Sequence, residues 1–223
     1  MLYMYLASKL SKKYNTMTRM PSKKTPTRQK PLRIGFDLDG VVLYNPARII
    51  RRPVTMLKHF IVPKKEKRFY IPHSKPEKAL WHMLHWSSFM VSPGFETIQA
   101  MARKGLIEPY IVTARYSFLR KDFEYWAKRL NFRVHFKGHF MNEKDEQPHE
   151  FKERMVKKLN LDMFVEDNLN IVEHLNKTTN CEVLWIYNIF DTFVPYKHKY
   201  PTLKKALVFI HSYVKKASKK AQA

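Results

Sequence analysis

The chain has 223 residues, a length that suits one α/β domain with a modest insertion, and its apolar share of 44% excludes a chain that is disordered throughout. Its single cysteine, Cys181, excludes an internal disulfide and a cysteine-based zinc cluster, and it favours a reducing, cytoplasmic location. The formal net charge of +23 favours anionic partners: nucleotides, nucleic acid, phosphorylated metabolites or an acidic membrane surface.

Both ends of the chain are basic. Residues 1–31 contain no acidic side chain, so we expect a flexible basic tail, with an organelle transit peptide as the alternative. Residues 217–223 form a second basic tail that we expect to fray. No stretch is apolar over the length that a membrane span needs.

Strands and helices alternate along most of the remaining chain. Near-continuous apolar runs predict strands at 32–38, 108–114, 132–136, 161–167 and 181–188. Apolar residues at helical spacing predict helices at 94–106, 116–131, 149–160, 168–178 and 201–217. Because the crossovers between such strands are right-handed, the predicted fold class is α/β, with a doubly wound parallel sheet. We assign this core to residues 32–45 and 92–216.

One segment interrupts the alternation. Residues 46–91 show no strand pattern, contain helical apolar stretches and are punctuated by prolines, which predicts a small helical insertion. The insertion leaves the core directly after the first strand. We therefore expect it to cover the strand ends as a cap.

Polar side chains stand at the ends of three predicted strands. They are Asp37 and Asp39, Thr113 and Arg115, and Glu166 and Asp167. The carboxyl ends of parallel strands meet at one edge of a sheet, where sites form. Carboxylates gathered there resist ionisation unless a cation lies among them, and oxygen ligands without a nearby histidine or thiol favour Mg²⁺.

Three segments resemble the motifs of the haloacid dehalogenase-like (HAD) superfamily of phosphohydrolases. They are DLDGVV at 37–42, IVTAR at 111–115 and FVEDN at 164–168, in matching order and spacing. The resemblance covers about residues 32 to 215. It is closest to small nucleotidase-like or phosphatase-like members with a helical cap after the first motif.

The resemblance implies roles for the residues of the first two motifs. Asp37 corresponds to the nucleophile that forms an aspartyl-phosphate. Asp39 corresponds to the general acid and base, and its backbone carbonyl would also bind the metal, with Asp37. Thr113 and Ala114 correspond to the segment that binds the phosphoryl oxygens, together with amides at the start of the next helix. A surface salt bridge explains Arg115 equally well.

The third motif supplies the metal-binding acids. Asp167 corresponds to the acid that ligates Mg²⁺, and Glu166 to its supporting neighbour or an alternative ligand. Many relatives carry two aspartates here, so the choice between Glu166 and Asp167 stays open.

The family also uses a lysine that holds the charges of nucleophile and phosphate. In a parallel α/β fold, the helix before a strand begins at the catalytic edge, so this lysine should lie in the first turn of the helix before MFVED. Lys152 occupies that turn, whereas Lys157 and Lys158 lie too far along the helix. A solvated helix face is the alternative explanation for Lys152.

The insertion is the expected determinant of substrate choice. Its aromatic residues that could stack on a base are Phe60, Phe69, Tyr70, Trp81 and Trp86. Its basic residues that could hold further phosphates are Arg51, Arg52 and the run KKEKR at 64–68. Packing within the cap and solvated charge explain each of them more simply. Histidines are scattered, without metal-like clustering: His73, His82, His85, His135 and His139.

The leading hypothesis is a Mg²⁺-dependent phosphohydrolase that removes phosphate from a small phosphomonoester, such as a nucleotide, through an aspartyl-phosphate. A phosphotransferase or phosphomutase that uses the same intermediate is the second hypothesis. The third is a nucleic-acid-binding or nucleic-acid-end-processing protein that reuses the fold, and only the basic charge supports it.

Overall fold

The structure is a computed structural model that describes residues 30–44, 69–86 and 88–220, without the side chains of 218–220. Most of the predicted N-terminal tail lies outside the described residues. So do the parts of the predicted insertion that contain Arg51, Arg52, Phe60 and residues 64–68. Within the described residues, no helix combines the length and the apolar character that a membrane span requires.

The described strands are β1 (Leu32–Phe36), β2 (Leu43–Tyr44), β3 (Met90–Val91), β4 (Ile107–Tyr116), β5 (Gly138–Asn142), β6 (Met163–Glu166), β7 (Glu182–Ile186) and β8 (Lys199–Tyr200). Six of them form one parallel sheet in the order β5-β4-β1-β6-β7-β8. β1 therefore lies between β4 and β6. β2 and β3 form a separate antiparallel pair.

The described helices are α1 (Lys75–Trp86), α2 (Phe95–Arg103), α3 (Arg120–Arg129), α4 (Phe132–His135), α5 (Pro148–Leu159), α6 (Leu169–Thr178) and α7 (Leu203–Lys220). Two apolar clusters show that they cover both faces of the sheet. In β4, Ile111 belongs to the cluster with residues of α2, α3 and α7, whereas Val112 belongs to the cluster with α5 and α6. The predicted doubly wound α/β fold is confirmed.

The strand predicted at 132–136 is wrong. These residues form the short helix α4 instead, and β5 begins only at Gly138. Phe132 and Phe136 are buried and Val134 is 69% exposed, so the apolar alternation does not mark one buried face. The amide of Phe136 donates to the carbonyl of Phe132 (2.8 Å), which brings both rings to the same side of a helical turn.

Helix α5 is positioned by signals at both of its ends. It begins at Pro148, whose restricted φ suits the first helical turn, and it ends before Asn160, whose φ of 47° is left-handed. Its buried face contains Phe151, Lys152, Met155 and Val156. Lys152, near the start of the helix, therefore points toward the sheet edge.

The pair β2 and β3 lies at the two ends of the segment predicted as an insertion. Tyr44 pairs with Met90, and Leu43 pairs with Val91. Between them the structure describes α1, which has no residue fully buried against the other described residues. At the other end of the chain, α7 continues through Lys220, into the segment predicted as a basic tail.

Candidate active site

The ends of three strands meet at one edge of the sheet. Phe36, the last residue of β1, pairs with Ile111 of β4 and with Val165 of β6. The amide of Asp37 donates to the carbonyl of Val165 (3.0 Å). The polar residues that follow these positions therefore converge beside Asp37, as the parallel arrangement predicted.

Lys152 lies between two carboxylates of this edge. Its Nζ is 2.9 Å from Oδ2 of Asp37 and 2.5 Å from Oε2 of Glu166, and its side chain is only 1% exposed. Burial alone would lower the pKa of Lys152, but the attraction of Asp37 and Glu166 outweighs it, and the pKa lies above its ordinary value. Lys152 is therefore a buried cation of the site, and the alternative of a solvated helix face is wrong.

The acidic side chains outnumber this one cation. Burial raises the pKa of Asp37 well above its ordinary value, Lys152 offsets part of that rise, and repulsion from Glu166 and Asp167 adds to it. Burial also raises the pKa of Glu166. A further cation at this place would relieve the repulsion and favour the ionised carboxylates.

Carboxylate oxygens of Asp37, Glu166 and Asp167 all lie within 4.8 Å of one another. This donor set of hard oxygens fits Mg²⁺. Glu166 already accepts hydrogen bonds from Lys152 and from the amides of Asp167 (3.2 Å) and Asn168 (3.0 Å). Its carboxylate thereby supports the lysine and the loop after β6.

Gly40 turns the chain away after Asp39. Its φ of 82° lies in the left-handed region, and its amide donates to the carbonyl of Leu43 (2.7 Å). The turn brings the backbone of Gly40 directly against the carboxylate of Asp167. The loops after β1 and β6 are therefore packed together at the predicted metal site.

Asp39 faces a different partner from Asp37. Nε and Nη2 of Arg115 donate to Oδ2 and Oδ1 of Asp39, both at 2.7 Å. Burial would raise the pKa of Asp39, but Arg115 outweighs it and holds the pKa of this carboxyl well below its ordinary value. The side chain of Asp39 lies outside the group of three carboxylates, and metal binding through its backbone carbonyl stays a prediction.

Arg115 is buried rather than at the surface. Its side chain is 1% exposed, so the explanation of a surface salt bridge is wrong. The sequence signal that could have indicated this is its position: Arg115 belongs to β4, at the same sheet edge as Asp39. Its third nitrogen, Nη1, is buried and has no hydrogen-bond partner among the described residues.

Thr113 and Ala114 lie inside the long strand β4. Thr113 is buried, and its Oγ1 accepts a hydrogen bond from the amide of Arg115 (3.4 Å). Ala114 is partly buried and packs on the cluster beneath α5 and α6. The strand continues to Tyr116, and a 3₁₀ turn at Ser117–Leu119 leads directly into α3 at Arg120, so helical structure begins one residue later than the sequence predicted.

Helix α1 reaches the site through a histidine that the sequence pattern did not single out. Nε2 of His85 is 3.9 Å from Oδ2 of Asp39, and Nδ1 of His85 is 2.9 Å from the carbonyl oxygen of Trp81. Three residues earlier, Nδ1 of His82 is 2.9 Å from Oδ2 of Asp122 at the start of α3. The spacing of His82 and His85 is the signal that both face the same side of one helix.

The chain before α1 is also attached to the core. The amide of Phe69 donates to Oε1 of Gln147 (2.8 Å), and Nε2 of Gln147 donates back to the carbonyl of Phe69 (3.4 Å). The hydroxyl of Tyr116 donates to the carbonyl of Tyr70 (3.2 Å). These contacts place residues 69–86 beside the strand ends.

The aromatic residues predicted to stack on a substrate have other neighbours in the structure. The ring of Tyr70 lies 5.8 Å from that of Trp81, and the ring of Phe69 lies 5.7 Å from that of His149. Trp86 is 80% exposed. Trp81 and Phe69 therefore take part in packing, which was the simpler explanation.

Comparisons of the sequence find no relative: no family model and no curated protein matches the chain. Comparisons of the structure find the same fold in solved proteins. A variant of CbbY from Rhodobacter sphaeroides in complex with xylulose-1,5-bisphosphate matches with a TM-score of 0.51 and 11% identity, over 78% of this chain and 95% of that one.

Two further solved structures are similar to the same degree. A protein described as a beta-phosphoglucomutase from Thermotoga maritima has a TM-score of 0.50 and 14% identity, over 81% of this chain and 99% of its own. A protein described as a haloacid dehalogenase-like hydrolase from Bacteroides fragilis has a TM-score of 0.50 and 11% identity, over 79% and 99%. The chain therefore has the HAD-like fold.

Proposed function

We propose that the chain is a Mg²⁺-dependent phosphohydrolase of the HAD superfamily, which removes phosphate from a small phosphomonoester through an aspartyl-phosphate on Asp37. The observation that carries the proposal is the position of Asp37. It follows the central strand β1, it contacts the buried ammonium of Lys152, and its carboxylate lies within 4.8 Å of those of Glu166 and Asp167.

In the first step, a carboxylate oxygen of Asp37 attacks phosphorus and the bond from phosphorus to the leaving oxygen breaks. The protonated form of Asp39 gives its proton to that oxygen, so the alcohol leaves neutral. In the second step, a water oxygen attacks phosphorus, Asp39 takes a proton from the water, and the bond to Asp37 breaks. Asp37 is restored and inorganic phosphate is released.

The remaining residues bind and hold charge. The hydroxyl of Thr113 donates a hydrogen bond to a phosphoryl oxygen, and Lys152 balances the negative charge of Asp37. Asp167 would ligate Mg²⁺ together with Asp37, while Glu166, with both oxygens engaged by protein donors, keeps Lys152 in place. The metal, when bound, neutralises charge on the transferred phosphoryl group.

A small phosphorylated substrate suits this site best. The fold neighbour CbbY binds a sugar bisphosphate, which supports phosphorylated small molecules as the class to test first. The net charge of +23 also suits such an anion, including a nucleotide.

The test is phosphate release from a panel of phosphoesters, with and without Mg²⁺. The panel contains sugar phosphates, nucleoside monophosphates and oligonucleotides with terminal phosphate, and an added alcohol distinguishes transfer from hydrolysis. We expect Mg²⁺-dependent release that Asp37→Asn abolishes and that Glu124→Gln, an exposed change on α3, leaves intact. Activity that survives in Asp37→Asn would overturn the mechanism.

A further inference from the structure

The contacts of Asp39 are unusual for a carboxyl group that transfers protons. Both carboxylate oxygens of Asp39 accept hydrogen bonds from one guanidinium, and that guanidinium is buried. We propose that Arg115 is a positioning residue, which fixes the carboxylate of Asp39 beside the reacting phosphoryl group. This inference rests on the proposed function.

The geometry of the pair restricts rotation of the carboxylate. The planar fork of Nε and Nη2 meets both oxygens of Asp39 at 2.7 Å, so the plane of the carboxylate is held as well as its position. A lysine at this position would bring a charge but no fork.

Arg115 is itself held by the core of the protein. It lies in β4, the neighbour of β1 in the sheet, and its amide donates to Oγ1 of Thr113. A rigid strand thus orients the side chain that orients Asp39. Groups held by strands are more precisely placed than groups held by loops.

The insertion contributes less to this orientation. Nε2 of His85 lies 3.9 Å from Oδ2 of Asp39, and Ser88 just after α1 also helps to lower the pKa of Asp39, whereas two nitrogens of Arg115 lie at 2.7 Å from its oxygens. The shortest of these contacts come from β4, so the orientation of Asp39 is set mainly by Arg115.

Stability alone does not account for Arg115. Buried ion pairs lose much of their attraction to the cost of desolvation, and Nη1 of Arg115 has no acceptor among the described residues. A buried donor without an acceptor destabilises a fold. A role in orienting Asp39 explains why a guanidinium, rather than an apolar side chain, occupies this place.

The test compares the two chemical steps with p-nitrophenyl phosphate and Mg²⁺. The p-nitrophenolate group leaves without receiving a proton, so the first step needs Asp39 little, whereas attack by water needs it as a base. In Arg115→Met we expect a burst of p-nitrophenolate close to one equivalent, at nearly the wild-type rate. Steady-state turnover should then fall by about 10- to 100-fold, with a lower KM.

Two other variants complete the test. Arg115→Lys should recover part of the turnover, because it restores the charge without the fork. Arg120→Met, which removes an exposed arginine paired with Glu143, should behave as wild type. Thermal melts check that each variant folds. If Arg115→Met does not fold, the same comparison of burst rate with steady-state turnover is made on Arg115→Lys.

Two results would overturn the inference. The first is a burst and a steady state that slow by the same factor, which indicates general damage to the site. The second is unchanged kinetics in Arg115→Met. Failure of the proposed function itself would be visible separately, because the wild-type protein would then release no p-nitrophenolate, and the positioning role would fail with it.

Discussion

Gly40 and Asp167 approach so closely that a Cβ atom on Gly40 would lie 2.2 Å from Oδ2 of Asp167. Gly40 also has a left-handed φ of 82°. We expect Gly40→Ala to displace the carboxylate of Asp167 and to weaken Mg²⁺ binding by about 10- to 100-fold, as loss of a ligand's support does. The affinity is measured from the melting temperature at increasing Mg²⁺ concentrations.

The matched control for that change is Gly105→Ala. Gly105 also has a positive φ, of 65°, but it lies in the turn between α2 and β4, away from the carboxylates. Both variants should lose about 1–2 kcal/mol of stability to backbone strain, and only Gly40→Ala should lose affinity for Mg²⁺. Equal loss of affinity in the two variants would contradict the role of this close approach.

Removal of Lys152 should destabilise the fold strongly. In Lys152→Met, the carboxylates of Asp37 and Glu166 remain buried without their cation, and we expect a loss of about 3–5 kcal/mol at pH 7. Both pKa values are already raised and rise further in the variant, so the penalty is present above the unfolded pKa and shrinks as the pH falls. Urea unfolding at pH 7 and pH 4.5 measures this difference.

Lys157→Met is the control on the same helix. Lys157 is exposed and pairs with Glu153 one turn earlier, an arrangement that contributes about 0.5 kcal/mol or less. A Lys152 variant as stable as the Lys157 variant, or one with no dependence on pH, would show that the buried carboxylates do not need the lysine.

Cys181 should react with thiol reagents only after unfolding. The side chain is buried, and burial raises the pKa of its thiol, so the reactive thiolate is scarce in the native protein. We expect negligible alkylation by iodoacetamide in the native protein at pH 8 and complete alkylation in concentrated urea. Mass spectrometry measures the extent of both reactions. Glutathione serves as the reference thiol, and native labelling at a similar rate would refute the burial.

Gln147 should hold the chain before α1 without adding much to global stability. Gln147→Ala removes both hydrogen bonds to the backbone of Phe69, so amides of residues 69–86 should exchange faster with solvent. The free energy of unfolding should fall by about 1 kcal/mol or less. Gln99→Ala in α2 is the control, and unchanged exchange in 69–86 would mean that other contacts suffice.

Much of the fold was predictable because the strands around β1 are buried on both faces. Their apolar runs are continuous, and a polar residue that ends such a run marks the sheet edge. The ends of such runs predict Asp37, Glu166 and Asp167 as site residues, and the direction of α5 predicts Lys152. The structure brings these four side chains together, and their chemical roles stay predictions.

Other features depend on contacts between distant parts of the chain. The burial of Arg115 depends on its partner Asp39, which lies 76 residues earlier, and the position of Arg115 at a strand end indicates the sheet edge but not the pairing. The approach of His85 follows from the path of the insertion. The mistaken strand at 132–136 arose because two buried rings one helical turn apart resemble a strand that alternates.

The position of β1 between β4 and β6 has a consequence for biosynthesis. A chain that grows from its N-terminus exposes β1 with one unpaired edge until β6 emerges, since Ile34 pairs with Met163. Until then, the unpaired N–H and C=O groups along that edge of β1 can pair with other nascent chains. The same central placement that surrounds Asp37 with partners thus makes the unfinished polypeptide prone to aggregation during translation.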